Sequence, residues 1–275
     1  MSAVAALALE GVRKTFAPGT PNEVRALQGI DLEVASGSFV IVIGTNGSGK
    51  SSLLGAVAGS FPVDAGRLRI AGRDVTPWPE HRRARLVGRV FQNPFAGTAP
   101  ELSVAENLAL AVARGRRRGL GWALGARLRR EIAERVRELG MGLEGRLEQP
   151  IGALSGGQRQ ALTLLMATWL PPELLLLDEH TAALDPRSAE QIVQLSETVI
   201  ARERLTALVV THSMQQAVSL GDRLLMLDRG RILHDLGGAE KRRLRTGDLL
   251  ARFEEVRRGE RLDEGAAEIL RRAYV

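Results

Sequence analysis

The stretch Phe39-Val40-Ile41-Val42-Ile43-Gly44-Thr45-Asn46-Gly47-Ser48-Gly49-Lys50-Ser51 decides the fold. Its first five residues are a continuous, largely β-branched apolar run, the pattern of a strand covered on both faces. A glycine-rich turn follows at once, and Ser51 to Ala58 then reads as a helix closed by Gly59. The turn matches the phosphate-binding pattern G-x-x-x-x-G-K-[ST], placed between strand and helix as the mechanism requires. Its glycines let backbone N–H groups converge on phosphate oxygens, and the helix N-terminus adds partial positive charge. Lys50 reaches the β- and γ-phosphates and the Ser51 hydroxyl binds Mg²⁺, so the candidate contacts are Gly44, Thr45, Asn46, Gly47, Ser48, Gly49, Lys50, Ser51 and Ser52.

Outward from this centre, Leu7 to Val34 shows short strand-like alternation, which predicts a small antiparallel sheet at the N-terminus. From Leu102 to Leu147 the period turns helical, and Glu131 to Leu139 places Ile132, Val136 and Leu139 on one face. That region is expected to be a helical insertion. Strands are expected at Leu174 to Leu177, Leu208 to Thr211 and Leu224 to Leu227, separated by helices at Ala189 to Ala201 and Met214 to Leu220. Strands alternating with helices imply a mainly parallel, helix-covered sheet, so the fold class is α/β. Beyond Leu236 the chain reads as charged and helical.

Composition sets the outer bounds. The chain has 275 residues, no cysteine, 38 basic against 32 acidic side chains, and 44% hydrophobic residues. This is ordinary globular composition, and the missing cysteines exclude thiolate nucleophiles, disulfides and cysteine-held metals. The richest apolar stretch, Leu162 to Leu177, is interrupted by Pro171, Pro172 and Glu173, which disfavours a membrane span. Met1 to Glu10 lacks the basic start of a signal peptide, so residence inside the cell is expected.

A second cluster carries chemistry. Leu174-Leu175-Leu176-Leu177-Asp178-Glu179 is an apolar strand ending in two carboxylates. Asp178 is suited to hold Mg²⁺, directly or through water, and Glu179 to polarise an attacking water. A helicase reading of Asp178-Glu179-His180 would need histidine at position 181, where the chain has Thr181. Leu154-Ser155-Gly156-Gly157-Gln158 precedes a helical pattern from Gln158 to Ala167, so its amides and the helix dipole make a second anion site.

These motifs, in this order, resemble those of ABC-type ATPases. Leu154 to Gln158 is similar to the family's signature sequence, Phe91-Gln92-Asn93-Pro94 to its Q-loop, and Ala183-Leu184-Asp185 to its D-loop. His212, after Leu208-Val209-Val210-Thr211, stands at the switch histidine, and Phe16 where an aromatic ring stacks on adenine. His180 stands where the family usually has proline. The resemblance implies a P-loop NTPase fold, with an N-terminal antiparallel β subdomain and an inserted α-helical subdomain at about residues 95–165. It further implies an ATP-binding domain over residues 1–236 and a C-terminal helical extension over 237–275.

The resemblance also implies roles. ATP and Mg²⁺ are the expected cofactors, with Lys50, Gln92, Glu179 and His212 catalytic and Ser51, Gln92 and Asp178 around the metal. Ser155, Gly156, Gly157, Gln158 and Asp185 are expected to touch nucleotide across a head-to-tail dimer, formed with a second copy or a homologous subunit. Separately encoded permease subunits are the expected membrane partners, with the chain on the cytoplasmic face. LLLLDEHTAALD, Leu174 to Asp185, looks similar to a branch associated with amino-acid uptake, which would add a substrate-binding protein. The alternatives are a lipoprotein-release or export ATPase, and a soluble ATPase acting on nucleic acid or ribosomes, which aromatic content of 4% and the lack of a second nucleotide domain disfavour. The basic stretch Arg114-Gly115-Arg116-Arg117-Arg118, with Arg127, Arg129 and Arg130, fits a solvated helix face, contact with anionic head groups, or nucleic acid.

Overall fold

A computed structural model of the chain describes residues 4–114 and 124–255. In chain order the elements are β1 (Leu7–Phe16), β2 (Val24–Val34), β3 (Phe39–Gly44), α1 (Lys50–Ala58), β4 (Ala65–Ile70), β5 (Arg73–Asp74), α2 (Glu80–Arg83) and β6 (Val87–Val90). They continue with α3 (Val104–Val112), α4 (Ala126–Glu138), α5 (Gly156–Thr168), β7 (Leu174–Asp178), α6 (Pro186–Arg202), β8 (Ala207–Val210) and α7 (Met214–Ser219). β9 (Arg223–Asp228), β10 (Arg231–Gly237) and α8 (Gly238–Arg243) follow, and residues 246–255 form one more helix.

Two sheets result. The N-terminal sheet runs β2-β1-β4-β5, with every pairing antiparallel. The main sheet runs β10-β9-β3-β8-β7-β6, parallel from β9 to β6. Its central strand is β3, whose side chains alternate between two cores because strand side chains point to opposite faces. Val40 and Val42 join Leu174, Leu176, Leu208 and Val210 in a core shared with α1 and the N-terminal sheet. Ile41 and Ile43 join Leu175, Leu177 and Val209 in a core covered by α5, α6 and α7. Both faces are therefore dry, which explains the unbroken apolar runs. Truncating a fully buried side chain such as Leu176 to alanine costs about 2–5 kcal/mol.

The helical region has its own core. Val104 and Leu108 of α3, Ile132 and Val136 of α4, and Leu162 and Trp169 at the α5 end pack together, with Leu139 partly buried against them. α5 is shared, since Leu164 faces the sheet core while Leu162 faces the helical one.

Four strands, β4, β5, β6 and β10, escape the sequence pattern. β6, Val87-Gly88-Arg89-Val90, is short and carries a glycine and an arginine, yet its glycine lets it pack closely on α5: a Cβ at Gly88 would lie 2.6 Å from the Ala167 carbonyl. β4 contains Gly66, Arg67 and Arg69, and β10 is an antiparallel edge with one covered face. The basic cluster is corrected at its first residue. Arg114 donates to the carbonyls of Ala167 (3.1 Å) and Leu170 (2.9 Å), and burial lowers its pKa. It ties α3's end to α5's end rather than standing free on a solvated helix face; Gly115 to Arg118 lie outside the described residues, as does the extension beyond residue 255.

Candidate active site

The carboxyl ends of β3, β8 and β7 lie side by side in the main sheet. Two backbone bonds lock their exits: Thr211 N–H donates to the Val42 carbonyl at 3.2 Å, and Glu179 N–H to the Val210 carbonyl at 3.1 Å. The loop after β3, the carboxylates at the end of β7 and the histidine after β8 are thereby brought to one edge, the usual place for ligands in open α/β sheets.

Glycine is required within the loop. A Cβ on Gly44 would stand 2.3 Å from the Leu227 carbonyl and 2.5 Å from Ser48 Oγ. A Cβ on Gly49, whose φ is +102°, would stand 2.5 Å from the Ala26 carbonyl. Gly49 also starts α1 without any side-chain cap, so the first-turn N–H groups are left for an external acceptor. Lys50 is buried, and Nζ donates to the carbonyls of Gly44 (3.0 Å) and Thr45 (2.8 Å). An ammonium has three protons, so one remains for an anion over the loop. Burial lowers the Lys50 pKa, while the nearby Glu179 and Asp178 carboxylates oppose that shift.

Ser51 Oγ donates to Asp178 Oδ1 at 3.3 Å, placing a hydroxyl and a carboxylate side by side. Oxygen donors of this kind suit a hard divalent cation that keeps water and phosphate ligands, and no group of three or more His, Asp or Glu among the described residues forms a metal cage. Burial raises the Asp178 pKa, the Arg89 guanidinium 3.8 Å away opposes it, and the Glu179 carboxylate adds to the rise. Glu179 has φ +46° and lies 2.5 Å through Oε1 from His212 Nε2. A non-glycine residue in the left-handed region is a strained position that the surroundings must hold.

The remaining candidates lie around this centre. Phe16 packs edge-on against Phe61, centroids 5.0 Å apart, with Lys14 Nζ 5.5 Å from the Phe16 ring. Gln92 is exposed on the loop after β6. Ser155 caps α5: its hydroxyl accepts from Gln158 N–H at 3.3 Å, and Gln158 Oε1 accepts from Ser155 N–H at 3.3 Å. The Gln158 side chain is thus committed to a capping box. Among the described residues no hydrogen bond or ion pair joins Ser155 to Gln158 with the Gly44 to Ser52 loop. Asp185 caps α6 by accepting from Ser188 N–H at 3.0 Å, with Pro186 in the first turn.

Two participants have no signal in the sequence pattern. Arg89 reaches Asp178 only because β6 pairs with β7 in a register that sets Arg89 beside Leu176. His180 is buried and its Nε2 lies 3.1 Å from Ser196 Oγ. Ser196 Oγ itself donates to the Ile192 carbonyl at 2.7 Å, so the histidine nitrogen is the donor. This fastens the residue after Glu179 to α6.

A buried strand, a glycine-rich phosphate loop and a carboxylate pair with an adjacent histidine define a P-loop nucleotide-hydrolysing cassette. Residues 27–182 match the ABC transporter family. The chain is 36% identical over 251 residues to a tyrosine transport ATP-binding protein of Clostridioides difficile, covering 90% of this chain and 98% of that protein. It is 37% identical over 230 residues to the lipoprotein-releasing system ATP-binding protein LolD of a Ruegeria species, covering 82% and 96%. A solved dimeric ATP-binding cassette with ADP and Pi aligns with TM-score 0.72 at 27% identity, over 84% of this chain and 98% of that one. The chain belongs to the ABC transporter family, as an ATP-hydrolysing subunit of a transport system. No helix among its described residues is long and apolar enough to cross a membrane.

Proposed function

We propose that this subunit powers uptake of a small solute such as an amino acid, through permease subunits encoded separately, from the cytoplasmic face of the membrane. The observation that carries the hydrolytic half is the 2.5 Å approach of His212 Nε2 to Glu179 Oε1 beside the phosphate loop. Lys50 and the loop amides hold the β- and γ-phosphates of ATP, and Phe16 offers a ring to the adenine. Glu179 accepts a proton as water attacks the γ-phosphorus; the new O–P bond forms as the bridging O–P bond to ADP breaks. His212 holds the Glu179 carboxylate and reaches the γ-phosphate edge. Mg²⁺, held by Ser51 and Asp178 with Gln92 nearby, would neutralise phosphate charge when bound.

Ser155, Gly156 and Gly157 form the capped N-terminus of α5, and Asp185 starts α6 next to it. We place both against the nucleotide of a second subunit, head to tail. The relative solved as a dimer bound to ADP and Pi supports dimerisation. The ATP-binding domain is assigned to residues 1–236, with the helical subdomain at about 95–165 and residues 237–275 as an extension.

A cavity of about 360 Å³ lined by Phe91, Ala96, Gly97, Leu110 and Met166 opens between the sheet and the helical region. Leu110 of this lining stands exposed, and we assign the cavity to a short permease helix. Amino-acid uptake is supported by the tyrosine transport relative, which aligns over more of this chain than the lipoprotein-release proteins do. Lipoprotein release is the second reading, supported by 37% identity to LolD. Reconstitution with the neighbouring permease decides between them: hydrolysis stimulated by a binding protein carrying an amino acid supports uptake, and stimulation by an acylated protein supports release. Gln92→Ala should keep nucleotide binding and lose that stimulation.

A further inference from the structure

We propose that Arg159 and Gln160 are positioning residues that fasten the segment leading into Ser155 to both sides of Gln92, so that the two loops move as one piece. The inference rests on the roles assigned above to Ser155 and Gln92.

Both residues project from the second turn of α5, whose N-terminal cap is Ser155. Arg159 is 2% exposed and, among the described residues, has no carboxylate partner. Its Nε donates to the Ile151 carbonyl at 3.2 Å, and its Nη2 to the carbonyls of Gly152 (2.7 Å) and Leu154 (3.1 Å). Leu154 is the residue before Ser155. The same guanidinium lies 3.7 Å from the centroid of the Phe95 ring. Gln160 is fully buried and Nε2 donates to the Phe91 carbonyl at 3.1 Å. One helical turn therefore holds residue 91, residue 95 and residue 154 together, with Gln92 between the first two.

The chemistry is unusual enough to need a reason. A buried cation without a counter-charge is costly, and an apolar side chain of similar length would fill the space at lower cost. What the guanidinium adds is direction: planar donors aimed at three carbonyls and a flat face for an aromatic ring. Phe95 is 54% exposed, and the face of its ring meets Arg159. Movement of the Gln92 loop then reaches Ser155 through one side chain, and sets whether the α5 N-terminus can meet a partner's nucleotide.

The test uses Phe95→Ala and Arg159→Met, singly and together, in the Glu179→Gln chain. ATP-dependent dimerisation is followed by light scattering, ATP affinity of the monomer by a fluorescent analogue, and amide exchange across residues 151–158 by mass spectrometry. Monomer affinity should stay unchanged, because the phosphate loop is untouched. Dimerisation should weaken by about three- to thirty-fold in each single variant, and the double variant should be no worse than Arg159→Met. Exchange at 151–158 should quicken in Phe95→Ala. Additive losses, or parent-like dimerisation by Phe95→Ala, overturn the proposal. Should Arg159→Met fail to fold, Phe95→Ala decides alone, since that ring is half exposed. If the Glu179→Gln parent does not dimerise with ATP, the trans role of Ser155 fails. The brace is then judged by exchange alone, and unchanged exchange in Phe95→Ala overturns it.

Discussion

His212 Nε2 lies 2.5 Å from Glu179 Oε1, and the Glu179 backbone is held in the left-handed region at φ +46°. The two residues lie just past the ends of adjacent strands, so their approach is set by the pairing of β7 with β8, in which Asp178 faces Val210. A carboxylate at the end of a buried strand, oriented by a histidine from the next strand, is suited to take a proton from water without moving.

Glu179→Gln tests this directly. The amide keeps the shape but cannot accept the proton, so nucleotide affinity should persist while kcat falls by at least about a hundredfold. Steady-state hydrolysis and nucleotide titration check it. Near-normal turnover would remove Glu179 as the base.

Lys50→Ala and Ser155→Arg test the two halves of the composite site. Each alone should abolish turnover, the first by removing the ammonium beside Gly44 and Thr45, the second by blocking the α5 N-terminus. Mixed subunits carrying one change each contain one dimer site with both halves intact. Recovery of a fraction of the activity on mixing is expected, and its absence across all ratios would argue against action in trans.

Gly157→Ala should destabilise the join between α5 and α6. The added Cβ would lie 2.9 Å from both Cβ and Oγ of Ser188, closer than atoms tolerate. Overpacking of this kind costs about 1–3 kcal/mol. Urea denaturation should show the loss, and Ser188→Gly in the same chain should restore most of it. Equal stability of the single variant would mean that the helices separate there at little cost.

His180 predicts an acid-side loss of stability. Burial lowers its pKa from 6.5 to about 4, so between those values the unfolded chain binds a proton that the folded chain does not. Stability is therefore full above pH 6.5 and falls as pH drops towards 4, by about 2 kcal/mol between about pH 7 and about pH 5. His180→Gln keeps a donor for Ser196 and has nothing to titrate. Its denaturation midpoint should vary less over that interval; an identical slope in both chains would place the acid sensitivity elsewhere.

Local residue patterns determined the class of this protein by themselves. The run Phe39 to Ile43 reads as a doubly buried strand because both its faces must be apolar, and Gly44 to Ser51 reads as a phosphate cradle because backbone amides can converge only where glycine permits it. The caps at Ser155 and Asp185, and the helical face of Ile132 and Val136, follow from interactions within one turn or two. What lies within a few residues along the chain is legible from the chain. Tertiary structure alone decided the rest. β6 carries Gly88 and Arg89, and only pairing with β7 and packing under α5 make it a strand. Arg89 beside Asp178, His180 fastened to Ser196, Arg114 turned inward from its basic run, and Arg159 against Phe95 all join residues from different elements. Such pairs leave no periodicity behind, because their partners are chosen by how sheet and helices pack rather than by what stands next to them in the chain.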